Sequence, residues 1–150
     1  MTSPNLSEDA EVSLSEGRTT TVGELRKRCY VASPGIIVLG EPPYNTGDSY
    51  RVLVEAAKEL GRQFGRYTII VDCTDVTERP KGEYMDCIND QIRASDGGAV
   101  VHWCLVNPSN PFLRAVMRFL LGRLHGSRVS VHEAVPRAID RAREELENVC

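Results

Sequence analysis

The stretch YTIIVDCTDVTERPKGEY, residues 67–84, changes character in its middle. Tyr67 to Val71 is β-branched or aromatic at nearly every position and does not alternate with polar residues, which predicts a central strand covered on both faces. Asp72, Cys73, Thr74 and Asp75 follow at its end. After Pro80 a weaker helical pattern begins, with Tyr84, Ile88 and Ile92 facing inward, and it stops at Asp96-Gly97-Gly98. A strand buried on both sides needs further strands beside it and helices above and below it.

Those elements are found in both directions along the chain. Upstream, Arg26 to Val31 and Ile36 to Leu39 are β-prone runs joined by Ser33-Pro34-Gly35, which predicts a hairpin. Glu41-Pro42-Pro43-Tyr44-Asn45 reads as a loop. Thr46 or Asp48 then caps a helix whose apolar positions Tyr50, Leu53, Val54, Ala57, Leu60 and Phe64 recur every 3.6 residues, with Gly61 and Gly65 marking its fraying end. Downstream, Ala99 to Val106 is a second continuous apolar run, ended by Asn107-Pro108. A helix follows from Ser109 or Asn110, with Pro111 in its first turn, to about Gly122–Gly126. Ser127 to Val131 makes a short strand, and Ala134 to Glu147 a last helix that tolerates Pro136 in its first turn. The order β-β-α-β-α-β-α-β-α predicts one α/β domain. Its sheet is mixed, with an N-terminal hairpin, parallel later strands and helices packed on it.

The chain of 150 residues is 41% apolar, which suits a single soluble domain spanning residues 18–150. Residues 1–17 carry Glu8, Asp9, Glu11 and Glu16 with no base and no apolar period, and read as a disordered acidic tail. No run approaches the roughly 20 apolar residues of a membrane span, and the N-terminus has no secretory pattern, so a cytoplasmic location is expected. Cys29, Cys73, Cys87, Cys104 and Cys150 are odd in number and widely spaced, which favours free thiols over disulfides or a zinc site. No metal and no cofactor is expected. A net charge of −3 argues against nucleic acid as a partner, although seven arginines between Arg114 and Arg143 face only Glu133 and Asp140.

The element order resembles that of the STAS domain, the fold of anti-sigma-factor antagonists, in a superfamily that extends to Sec14-type lipid binders. Three stretches carry the likeness: YTIIVDCTDV as the central strand ending in Asp, VHWCLVNPSNPFLRAVMRFLLG as the penultimate strand and its helix, and SRVSVHEAVPRAIDRAREEL as the closing strand and helix. The resemblance spans roughly residues 20–148 and implies a bacterial STAS-like regulatory module. In the antagonists a serine at the start of the helix after the central strand is phosphorylated. Pro80-Lys81-Gly82 occupies that place here, so the resemblance does not bring that mechanism with it. Thr74 and Thr77 are the nearest hydroxyls and the candidate phosphosites.

Asp72, Cys73 and Asp75, with His102, His125 and His132, are the residues from which an active site could be built. Strand alternation separates Cys73 from Asp72 and Thr74, however, and a strand-end Asp commonly organises the following loop through backbone N–H groups. His102 sits inside an apolar strand and reads as a packed, hydrogen-bonded side chain. Gly97-Gly98 precedes a strand, whereas a phosphate loop follows one. No catalytic residue is assigned, and no enzyme activity is expected. The helix at 110–124 is more informative. Its apolar residues span about half the circumference, more than the ~100° stripe one sheet face covers. Arg114 and Arg118 stand together at the border of that arc. Arg114, Met117, Arg118 and Leu121 are therefore the candidate partner-binding residues, for a protein partner or a second copy of the chain. The alternative is a Sec14-like site that shelters a lipid or other small hydrophobic ligand beneath this helix.

Overall fold

A computed structural model of the chain describes residues 7–14, 17–77, 82–121 and 128–149, without the side chains of 82–85, Val116, Met117 and 119–121. The elements are β1 (Glu11–Ser13), β2 (Thr19–Thr21), α1 (Val22–Arg26), β3 (Cys29–Ser33), β4 (Ile36–Gly40), α2 (Gly47–Arg62), β5 (Tyr67–Asp72), α3 (Gly82–Ala94), β6 (Val100–Val106), α4 (Pro111–Leu121), β7 (Val129–His132) and α5 (Val135–Asn148). A short 3-10 turn, Ser95–Gly98, joins α3 to β6.

Five strands form one mixed sheet in the order β3-β4-β5-β6-β7. β3 and β4 are the antiparallel hairpin, turned by Gly35 at φ +79°, and β4 to β7 are parallel. This is the predicted α/β architecture. β5 lies at the centre, and Tyr67 to Val71 are all buried, as their unbroken apolar character requires. Alternate side chains serve two cores. Ile37, Leu39, Ile69, Val71, Trp103 and Leu105 pack with Tyr50, Leu53 and Ala57 of α2 and with Cys87, Ile88 and Ile92 of α3. Ile36, Val38, Ile70, Cys104 and Val106 pack against Ala138 and Ala142 of α5.

Local chemistry sets the helix starts. Thr46 caps α2 in a reciprocal box: Ser49 N donates to Thr46 Oγ1 at 3.1 Å, and Thr46 N donates to Ser49 Oγ at 2.8 Å. Asn110 caps α4 by accepting from Phe112 N at 2.9 Å and Leu113 N at 3.3 Å. Proline stands in the first turn of both α4 and α5.

Three readings change. The β-prone run Arg26 to Val31 is strand only from Cys29, because Arg26 closes the short helix α1 that Thr21 caps. The acidic segment is not featureless where it is described: β1 pairs antiparallel with β2, and Val12 is buried. Gly23 N donates to Glu8 O at 3.0 Å, Arg26 Nη1 meets Glu8 Oε1 at 2.6 Å, and Thr46 Oγ1 donates to Ser13 O at 2.7 Å. A segment with one buried apolar side chain has no period of its own, and these long-range bonds order it. Gly61 is the third correction. α2 continues to Arg62, and Gly61 is a buried position packed against the Tyr67 ring, whereas Gly65 at φ +78° takes the left-handed turn beyond the helix. Pro80, Lys81, His125, Ser127 and the expected end of the 110–124 helix at Gly122–Gly126 lie outside the described residues.

Candidate functional site

Parallel strands present their C-terminal ends to one rim, where α/β proteins place their sites. Here the residues just past β4, β5, β6 and β7 are Glu41, Cys73, Asn107 and Glu133. Backbone bonds continue the sheet through them: Glu41 N to Asp72 O at 3.0 Å, Cys73 N to Val106 O at 3.1 Å, and Asn107 N to His132 O at 2.9 Å. The rim is therefore a rigid line of four polar side chains.

Its first half is a buried hydrogen-bond cluster. Glu41 is 1% exposed, and its carboxylate accepts from Cys73 Sγ at 2.8 Å and from Asn45 Nδ2 at 2.9 Å. Burial, followed by the Glu41 charge, pushes the Cys73 thiol well above its ordinary range, so it stays protonated and acts as a donor. Alternation does separate Cys73 from the Asp72 side of the strand, but an acid 32 residues upstream meets it instead. Asp72 organises the following loop: its Oδ1 accepts Thr74 N at 3.0 Å and also the Thr74 hydroxyl. Thr74 and Thr77 are exposed, and the Thr77 hydroxyl donates to Pro43 O at 3.1 Å. Both candidate phosphosites thus hold loops together with the group that would be modified.

The second half is an ion-pair cluster along one side of α4. Glu133 accepts from Arg118 Nη2 at 3.1 Å, lies 3.8 Å from Arg114 Nη1, and accepts from Asn107 Nδ2 at 3.3 Å. The two arginines stand on one helix face, as their spacing of four requires, and a carboxylate of the same chain meets both. Two cations share one anion, so the cluster carries a net positive charge. Phe112, on the first turn, is 63% exposed, whereas Leu113 is buried. The side chains of Met117 and Leu121 lie outside the described set. Because these ion pairs are substantially exposed, Glu133→Gln is expected to change global stability by less than ~1 kcal/mol. It should speed amide hydrogen exchange in the first turns of α4 several-fold. Unchanged exchange there would show that Glu133 does not anchor the helix.

His102 and His132 are both carried by sheet strands. His102 is fully buried on the α5 face of the sheet, its Nε2 2.8 Å from Ser130 Oγ, and His132 is half-buried. Burial moves both imidazoles below the ordinary value of 6.5. The unfolded chain therefore binds protons at these positions before the folded one does, and stability is expected to fall as pH drops through about 6.5. Urea midpoints at pH 7.5 and 5.5 measure this, and His102→Gln should flatten the dependence.

Glu41, Ser130 and Glu133 take part in these clusters, and sequence reasoning did not single them out as site residues. Only the places of Glu41 and Glu133 just past strand ends could have signalled them, whereas Ser130 lies inside β7. Among the described residues no group of three or more His, Cys, Asp or Glu could hold a metal ion, and no helix is long and apolar enough to cross a membrane. A cavity of about 200 Å³ is lined by Arg26, Cys29, Ala56, Glu59 and Leu60, near α1, β3 and α2 and away from the Arg114–Glu133 cluster in the chain. The fold is that of an α/β protein with a mixed five-stranded sheet. Searches against protein-family models, curated proteins and solved structures find no match.

Proposed function

We propose that this chain is a non-enzymatic, STAS-like regulatory or interaction module of a bacterial cytoplasmic signalling system. It binds a protein partner, or a second copy of itself, through the surface around helix 110–124. The observation that carries the reading is that one helix beside the sheet rim presents both an exposed aromatic residue, Phe112 at 63%, and, on another of its faces, Arg114 and Arg118. Exposed aromatic residues and arginines are side-chain types enriched in protein interfaces. The element order and the strand-end Asp72, which organises a loop, support the STAS-like part. The Cys73 thiol, held protonated by burial and by Glu41, argues against nucleophilic chemistry at the rim.

The test is Phe112→Asp and Arg118→Glu, singly and together. Surface changes of this kind move stability by about 0.5 kcal/mol or less, so folding should be unaffected. Light scattering coupled to size exclusion reads self-association, and affinity purification from the native host reads partners. The variants should lose at least tenfold in recovered partner, or shift from dimer to monomer. Identical partners and identical mass for wild type and double variant would remove the proposal. A co-purifying lipid, found by native mass spectrometry in place of a protein, would turn the reading to a Sec14-like ligand site.

A further inference from the structure

Beneath α5 the sheet carries a chain of polar groups that the surface around α4 does not use. His102 is fully buried, and its Nε2 lies 2.8 Å from Ser130 Oγ. The same hydroxyl oxygen lies 2.7 Å from His132 Nε2 and 3.7 Å from Cys104 Sγ. On the other side of the ring, His102 Nδ1 is buried without a hydrogen-bond partner, and Glu145 Oε2 of α5 stands 4.0 Å from it. Glu145 is held there by Arg141 Nε, which donates to its Oε1 at 2.9 Å. A serine hydroxyl carries one proton, so it can donate to only one of its three neighbours.

That restriction limits the proton arrangements, and Glu145 selects among them. With both imidazoles neutral, Ser130 either donates to one Nε2 and accepts from the other, or accepts from both and donates to Cys104 Sγ. If His102 Nε2 carried the proton, its bare Nδ1 lone pair would face a carboxylate in a buried site. The opposite arrangement has Nδ1–H pointing toward Glu145, Ser130 donating to His102 Nε2 and His132 Nε2–H donating to Ser130. It is electrostatically favoured. One more proton then has a prepared place. It binds His102 Nε2, Ser130 accepts from both rings, and the hydroxyl proton turns to Cys104 Sγ. The Nε2–H and hydroxyl donors remain paired, Nδ1–H faces Glu145 at ion-pair rather than hydrogen-bond distance, and the new charge lies opposite that carboxylate.

We propose that His102, Ser130 and His132 form a proton-sensing relay that takes up one proton from solvent as a unit, with Glu145 as its counter-charge, and so changes how α5 is held on the sheet. Uptake strengthens the pull of His102 on Glu145 and competes with Arg141, which lies 2.9 Å from the same carboxylate. The charged and titratable groups around His102 come from three elements: Cys104 on its own strand, His132 on β7, and Glu145 and Arg141 on α5. Burial, Arg141 and His132 oppose protonation, and Glu145 favours it. Charging is therefore expected in mildly acidic conditions, below the ordinary imidazole range. The device stands apart from the reading of the α4 surface and needs no partner for its test.

Imidazole proton and nitrogen resonances followed from pH 8 to pH 5 make that test on the intact chain. In the wild type His102 and His132 should titrate through shared, coupled transitions, with Nδ1 of His102 protonated at high pH. Ser130→Ala should turn these into two single-site curves. Glu145→Gln should move the His102 transition to lower pH and abolish the pH dependence of amide exchange in α5. Independent single-site titration in the wild type overturns the relay, as does a His102 curve unmoved by Glu145→Gln. Loss of far-ultraviolet helix signal in step with the imidazole titration also overturns it, because the proton uptake would then report unfolding.

Discussion

Trp103→Ala is expected to cost about 3–5 kcal/mol of folding stability, the usual range for emptying the space of a fully buried aromatic residue. Trp103 is 0% exposed and stands opposite Ile69 on β5 and Val129 on β7, so its ring sits over the inner strands of the sheet. Its indole N–H also reaches Ser95 Oγ at 3.4 Å, and truncation leaves that buried hydroxyl without one of its contacts. A domain of this size has a total stability on the order of 5–15 kcal/mol. The loss is therefore about a fifth of it or more, and the melting temperature should fall by roughly 10 °C. Trp103 is the sole tryptophan, so unfolding must be followed by circular dichroism. Trp103→Phe should recover most of the loss. A cost below about 1.5 kcal/mol would mean that the site collapses freely and that the core is not packed around this ring.

Gly61→Ala is expected to destabilise, against the ordinary rule for a helix interior. Replacing glycine by alanine there normally gains about 1 kcal/mol. At Gly61 an added Cβ would fall well inside van der Waals contact with the Tyr67 ring. The ring has no room to yield, because Tyr67 is buried and its hydroxyl donates to Asp96 Oδ2 at 2.5 Å, while Asp96 is held by Arg62 at 3.1 Å. Overpacking of this kind costs about 1–3 kcal/mol and occasionally more. With so close an approach the cost falls at the upper end of that range and outweighs the propensity gain, for a net loss of up to about 2 kcal/mol in urea denaturation. Gly65→Ala separates the two effects. Nothing lies within 4 Å of a Cβ at Gly65, so only its left-handed φ of +78° opposes the change. The cost there should be about 1 kcal/mol. A neutral or stabilising Gly61→Ala would show that α2 does not press on β5 at this point.

The same contact shows where sequence reading stops. The glycines at 61 and 65 look alike in a sequence, and both suggest a frayed helix end. Only the register that sets Tyr67 beside α2 separates a close-packing glycine from a turn glycine. Arg114 and Arg118 give a second case. Their spacing places them on one face, but their shared carboxylate, Glu133, lies 15 residues beyond Arg118 and across the β6–β7 crossover. The reading of Cys73 correctly parted it from Asp72. Its real partner, Glu41, became visible only once β4 and β5 were laid side by side.

By itself the sequence determined the α/β class, the hairpin, the parallel run of strands and the helix starts near Thr46 and Asn110, whereas the structure chose Thr46 over Asp48 and Asn110 over Ser109 as the caps. Hydrophobic period, capping residues and turn chemistry are local, and the backbone answers to them directly. The tertiary structure alone decided the ordering of β1 against β2, the burial of Glu41, the sharing of Glu133 by two arginines and the meeting of His102, Ser130, His132 and Glu145. Each of these joins residues on different elements. Strand register sets their geometry, and the packing of whole faces against one another sets the register.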